Sequence, residues 1–170
     1  MESVVELRLL GPVQVKRAGE PVRGFESHKA LALFCYLAER RSLVARSHLV
    51  DLFWQDKADV QGRANLSRVL HNNATLLPGC FQSNCNSVQF RQSATTWIDV
   101  VAFDELAAQN DVASFTAAMA LYQGDFMTGF RLKGCPDFQY LRHSGSINRA
   151  NLSNMGEDLV NKNRLRHLWK

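Results

Sequence analysis

Hydrophobic positions alternate with period two at the start of the chain. VVELRLL (4–10) reads as a strand stopped by Gly11-Pro12, and VQVKRAG (13–19) as a second strand closing at Ala18-Gly19. EPVRGF (20–25) gives a short third strand, so the chain opens with a small antiparallel sheet. The period then becomes helical. HKALALFCYLAERR (28–41) places Leu31, Phe34, Leu37 and Ala38 on one face, and SHLVDLFW (47–54) is a second helix. The loop QDKADVQ (55–61) leads to a third helix over 62–77, which Pro78-Gly79 terminates. CFQSNCNSVQFRQS (80–93) reads as two extended pieces around a polar Asn-Ser turn, and TTWIDV (95–100) as a further strand. Sheet, helix, helix, helix, hairpin is the order of a winged helix with an extra N-terminal sheet.

The third helix is two-sided. Leu66, Val69, Leu70 and Leu77 recur on one side, while Ser67, Arg68, His71, Asn72 and Thr75 crowd the other. Those polar types reach base edges and phosphates in a DNA major groove, and a winged helix inserts its third helix there. The same pattern also suits a helix that is polar outside only for solubility. Arg68 lies near the centre of the exposed face, where a guanidinium can bond guanine bidentately; His71 and Asn72 lie one turn along. By helical phase Asn73 falls on the apolar stripe, where an amide needs a partner to offset desolvation, and a leucine there should add about 1 kcal/mol of stability. Arg46, Ser47 and His48 open the second helix, whose amides favour a phosphate. Helix initiation explains these three equally well. In the hairpin Asn84, Asn86 and Gln89 are tip or strand residues and Arg91 is the only cation, a phosphate contact. Phe53, Trp54, Phe81 and Trp97 occupy apolar phases and belong to the core.

Composition adds a division. Residues 1–98 carry twelve Lys/Arg against eight Asp/Glu, residues 99–140 two against six, and residues 141–170 six against two. A basic first part followed by an acidic stretch points to two domains, 1–98 and 99–170. With 46% hydrophobic residues the chain can build a real core, yet its longest apolar run, around Leu33, is too short to span a bilayer. MESVVELRLL lacks a signal-peptide pattern, so a cytoplasmic protein is expected. Cys35, Cys80, Cys85 and Cys135 show no CxxC and no nearby histidine for zinc, and read as ordinary thiols, although Cys80 and Cys85 can meet across the hairpin. GDFMTGFR has no Lys-Ser/Thr after its second glycine, HSGSIN lacks the context of a nucleophile elbow, and the five histidines are scattered. No enzyme, cofactor or metal is expected.

The stretches LRLLGPVQV (7–15), HKALALFCYLA (28–38), HLVDLFW (48–54) and GRANLSRVL (62–70) resemble the effector domain of OmpR-type response regulators, in the version that opens SARP-type transcriptional activators. WIDVVAFDEL (97–106) and LYQGDFMTGF (121–130) resemble the start and first motif of the bacterial transcriptional activator domain, an all-helical, tetratricopeptide-like module. The resemblance covers roughly residues 4–140. It implies an α+β fold, an OmpR-like winged helix followed by an all-α segment, and a cytoplasmic activator that binds double-stranded DNA as tandem head-to-tail copies on direct repeats and contacts RNA polymerase. Gln55–Gln61 would be the polymerase contact, and Arg63 and Asn65 match family positions near the start of the third helix. Arg63 would meet phosphate; Asn65 serves either DNA or the preceding loop. No receiver domain precedes the sheet, so aspartate phosphorylation is not the expected switch.

Three departures stand out. The family's third helix continues with a Leu-Arg pair and further basic residues, whereas this chain has Asn72-Asn73; its activator domain is longer than 99–170; and residues 141–170 lack clear periodicity, fitting a helix pair or a tail. Four phosphate-neutralising cations, Arg46, Arg63, Arg68 and Arg91, imply a slope of log affinity against log salt of about −3.6. So thin a set of cations also admits a different class, a protein-interaction scaffold whose winged helix has lost DNA binding.

Overall fold

A computed structural model describes residues 4–91, 95–109 and 111–144, which divide into two compact units, neither of them a continuous stretch of chain. The first unit takes residues up to Leu7, Gln14–Trp97 and Arg131–Tyr140; the second takes Arg8–Val13, Ile98–Phe130 and the chain from Leu141. Of the C-terminal reading, residues 145–170 lie outside the described residues.

β1 (Val5–Arg8), β2 (Gln14–Arg17), β3 (Glu20–Pro21) and β7 (Thr96–Ile98), all but their end residues Arg8 and Ile98 in the first unit, form a sheet in the order β3-β2-β1-β7, with β2 and β3 antiparallel at Lys16↔Pro21. The third strand is shorter than its sequence suggests. Pro21 lacks an N–H to extend a ladder, and the chain turns at Gly24 into α1 (His28–Arg40). Ser27 caps that helix by accepting from the Ala30 N–H at 3.1 Å. From Ala30 to Ala38 every α1 residue except Leu31 is buried, so the helix is covered nearly all round. The expected single face of Leu31, Phe34, Leu37 and Ala38 understates this, because neighbours close over α1 from several sides.

α2 (Arg46–Trp54) and α3 (Asp59–Leu76) follow. α3 starts three residues earlier than its apolar stripe indicates, with the acid Asp59 in its first turn and the Arg63–Asp59 pair one turn on. The loop before it therefore shrinks to residues 55–58. The two helices cross closely at Gly62, where an added Cβ would lie 2.6 Å from Val50 Cγ1. Only a residue without a side chain permits that approach.

β5 (Phe81–Ser83) and β6 (Ser87–Phe90) form the expected hairpin, and β4 (Val44–Ala45), too short to leave a sequence pattern, adds to it in the order β4-β6-β5. Residues 131–140 return to this unit. Leu132, Cys135 and Phe138 are buried, the Phe138 and Phe53 rings lie 5.1 Å apart, and the Cys135 thiol and Lys29 Nζ both donate to the Phe53 carbonyl. Burial pushes the Cys135 thiol up from its ordinary range. Phe53 and Trp54 are buried, Phe81 and Trp97 half-buried. All four cysteines are free; Cys80 is buried and Cys85 exposed.

Asn73 is 0% exposed, as its phase requires, and only half satisfied: Nδ2 donates to the Ala30 carbonyl at 3.0 Å while Oδ1 has no partner. Asn73→Leu forfeits one hydrogen bond of about 1 kcal/mol and removes a buried oxygen whose desolvation costs roughly 1–3 kcal/mol. We expect a net gain of about 1 kcal/mol, seen as a raised melting temperature. A leucine variant that melts lower would show that the bond to α1 outweighs the stranded oxygen.

The second unit contains α4 (Asp99–Ala107) and α5 (Val112–Leu121), which pack on each other, the latter capped by Asp111. Further helical residues span 136–144, divided between the two units. Here the buried stretch Leu9–Gly11 is bonded from two sides. Asp99 accepts from the N–H groups of Leu9 and Leu10 at 2.8–2.9 Å and of Val100 at 2.7 Å. On the other edge Met127 N–H donates to the Leu9 carbonyl, Gln123 N–H to that of Leu10 and Thr128 N–H to that of Gly11. Asp99 is 2% exposed, and burial pushes its carboxyl up against the downward pull of those N–H groups. Among the described residues no helix is long and apolar enough to cross a membrane.

Candidate functional site

α1 and α2 pack on α3 so that its polar side stays open. Val69, Leu66 and Leu70 are buried, while Arg63, Ser67, Arg68 and His71 are exposed. Residues 63, 67 and 71 succeed one another at one-turn intervals, and 61, 65, 68 and 72 form an adjacent row. The two rows have different surroundings.

Arg63 and Ser67 of the first row face a groove of about 710 Å³, lined also by Ala45, Arg46, Ser47 and the hairpin tip Asn84–Asn86. Arg46 spans it. Its guanidinium donates to Ser67 Oγ on α3 at 2.7 Å and to Ser83 Oγ on β5 at 3.1 Å, and its backbone N–H to the Asn86 carbonyl at 2.8 Å. One side chain therefore sets the spacing between helix and hairpin. The tip is itself fixed by Asn84 Oδ1, which accepts from the N–H groups of Asn86 and Ser87 at 2.8 Å. Ala45 precedes α2 without a side-chain cap, and the first amide of that helix, that of Arg46, is taken by the hairpin tip instead. Arg63 is held by Asp59 at 2.8 Å and stays largely exposed. The groove can take an anion of phosphate size between two guanidinium groups and two serine hydroxyls.

The second row is engaged by the chain ahead of α1. Arg68 Nη2 lies 3.5 Å from Glu26 Oε1. Asn72 donates to the Gly24 carbonyl and accepts from the Glu26 N–H, so both ends of its amide are committed to backbone. Asn65 accepts from Gln61 Nε2 at 3.3 Å within the helix.

Of the residues singled out in the sequence, Arg46, Ser47, Arg63 and Ser67 thus line one groove. His48, exposed at the start of α2, shares a hydrogen bond with Tyr36 Oη at 3.2 Å. His71 stays exposed on α3 beyond Ser67. Arg91 follows β6 at the base of the hairpin, its N–H bonded to the Cys80 carbonyl, at the opposite end from Asn84–Asn86. Glu26 and Ser83 were not legible as site residues, since nothing in their local pattern connects them to α3. Among the described residues no group of His, Cys, Asp and Glu could hold a metal ion.

No family model and no curated protein matches the sequence. Among solved structures the chain is similar to Mycobacterium tuberculosis EmbR, solved in complex with a low-affinity phosphopeptide, with a TM-score of 0.70 at 17% identity. The match covers 94% of this chain and 45% of the EmbR chain, so the sequence spans less than half the length of that neighbour. At that identity the likeness is one of fold: a mixed arrangement of helices and small sheets shared along nearly the whole chain.

Proposed function

We propose that this protein is a sequence-specific DNA-binding transcriptional regulator, with α1–α3 and the β5–β6 hairpin acting as a winged helix and α4–α5 as the start of a helical activator domain. The observation that carries the reading is the groove between α3 and the hairpin, where Arg46 bridges the two elements beside Arg63. Such a site suits a phosphodiester backbone running between the helix and the wing, with α3 in the adjoining major groove. The EmbR fold supports it, that neighbour being a regulator of the SARP type. RNA polymerase contact through Gln55–Gln61, of which 55–58 form the loop and the rest the first turn of α3, belongs to the same proposal, as do tandem binding on direct repeats, a cytoplasmic location and the absence of catalysis.

A mobility-shift titration with duplex DNA from the native upstream region tests it, repeated across a salt series. Two of the four expected cations, Arg46 and Arg63, sit at the groove, Arg63 beside a well-exposed Asp59 that can release it to phosphate, while Arg68 faces the less exposed, backbone-anchored Glu26 and Arg91 lies at the base of the hairpin. The expected slope on random-sequence duplex is therefore about −1.8, two contacts at roughly 0.9 each, in place of −3.6. Arg46→Ala should reduce it by about one unit and Arg91→Ala should leave it unchanged. A wild-type slope near zero would instead favour the scaffold reading, to which the engagement of Arg68 and Asn72 by the protein's own chain lends weight.

A further inference from the structure

Three features place the segment Gly24–Glu26 directly on the C-terminal half of α3. Asn72 pairs with its backbone at both ends, donating to the Gly24 carbonyl at 3.3 Å and accepting from the Glu26 N–H at 3.2 Å. Gly24 has φ +102, and a Cβ there would meet Leu76 Cδ2 at 3.1 Å, so the segment turns against the helix where a side chain would be strained. The Glu26 carboxylate, with a side-chain exposure of 23%, then sits 3.5 Å from the Arg68 guanidinium, whose own side chain is 67% exposed. An acid is thereby anchored by its backbone beside the central cation of the exposed helix face.

An exposed ion pair of this kind adds little to folding stability. Its effect on an approaching polyanion is larger. The carboxylate cancels the charge that Arg68 would offer a phosphate and repels the phosphate itself. A guanine edge differs, because its O6 and N7 give the guanidinium a bidentate partner in place of the carboxylate. We infer that Glu26 is a specificity-determining residue, which holds Arg68 back from random-sequence DNA and yields it only to a matching base edge. The inference rests on the DNA-binding reading above. It assigns reading on general DNA to the first row of α3 and makes Arg68 a contact reserved for the correct site.

The test compares wild type, Glu26→Gln, Arg68→Ala and the double variant on two probes. One is a random-sequence duplex of about three helical turns; the other is the tightest duplex that the wild type selects from a random pool. Glu26→Gln keeps the shape and backbone anchoring of the side chain, and circular dichroism with thermal melting verifies that the fold is retained. On the random duplex we expect Glu26→Gln to bind about fivefold tighter at 0.15 M salt, with a slope steeper by about 0.9, the signature of one added phosphate contact. The selected duplex should gain less, so the ratio of selected to random affinity falls. Arg68→Ala should abolish the gain in the double variant. Unchanged random-duplex affinity and slope in Glu26→Gln, or a gain that survives in the double variant, would overturn the role of Glu26 while leaving DNA binding intact. Failure of the wild type to bind any duplex, with no selected pool, would overturn the function and this inference together.

Discussion

Asp99→Ala should destabilise the second unit by about 3 kcal/mol or more, an outcome that rests on hydrogen-bond accounting. Asp99 accepts from three backbone N–H groups, those of Leu9, Leu10 and Val100, in a site where the residue is 2% exposed. Alanine leaves those donors without their acceptor, and each buried unsatisfied donor costs roughly 1–3 kcal/mol. Asp99→Asn keeps one acceptor oxygen, but its NH2 group faces the N–H donors. It should recover only part of the loss. Thermal unfolding of the three proteins measures the order, and amide hydrogen exchange locates it, since Leu9 and Leu10 N–H should exchange much faster in the alanine variant. A melting temperature within about one degree of wild type would show that water or another acceptor replaces the carboxylate.

The second large effect is expected at Phe34, which is fully buried at the centre of a four-ring cluster. Its ring centroid lies 5.8 Å from Phe25, 5.6 Å from Phe81 and 5.7 Å from Phe90, and Phe81 and Phe90 are 6.0 Å apart. These rings join three parts of the first unit: the segment ahead of α1, α1 itself and the hairpin. Phe34→Ala should cost about 3–5 kcal/mol, from lost transfer energy and the cavity left behind. For a unit of about 100 residues that lowers the melting temperature by roughly 15–25 °C. Phe34→Leu fills much of the space and should lose less. The cluster seats both the hairpin and Gly24–Glu26, so the DNA affinity proposed above should fall together with the folded fraction as temperature rises. Affinity that falls while the unit remains fully folded would instead point to a shift of the hairpin within an intact core.

The elements themselves were readable from the chain because the causes are local. Period-two alternation marked β1 and β2, helical spacing marked α1, α2 and α3, and Pro78-Gly79 and the Asn-Ser turn marked the ends of α3 and the hairpin. The phase of Asn73 on the apolar stripe was enough to place it inside. The α3 side chains exposed to solvent followed from the same phase, so Arg63, Ser67, Arg68 and His71 could be named.

Tertiary structure decided what each of those side chains meets. Arg46 and Ser83 lie 37 positions apart and Glu26 and Arg68 42 apart, yet one pair helps define the groove and the other guards the helix. Periodicity reports which side of an element is covered, not which distant residue covers it. The two-residue β4 left no pattern to read, and its strand character comes from pairing with β6. Asp99 shows the limit most clearly. In sequence it is an acid at a strand end, and only the passage of residues 8–13 beside it turns it into the acceptor for buried backbone N–H groups. Local chemistry determined the helices, strands and exposed faces of this protein; long-range packing determined which of its charges are free to bind and which are already spent on the fold.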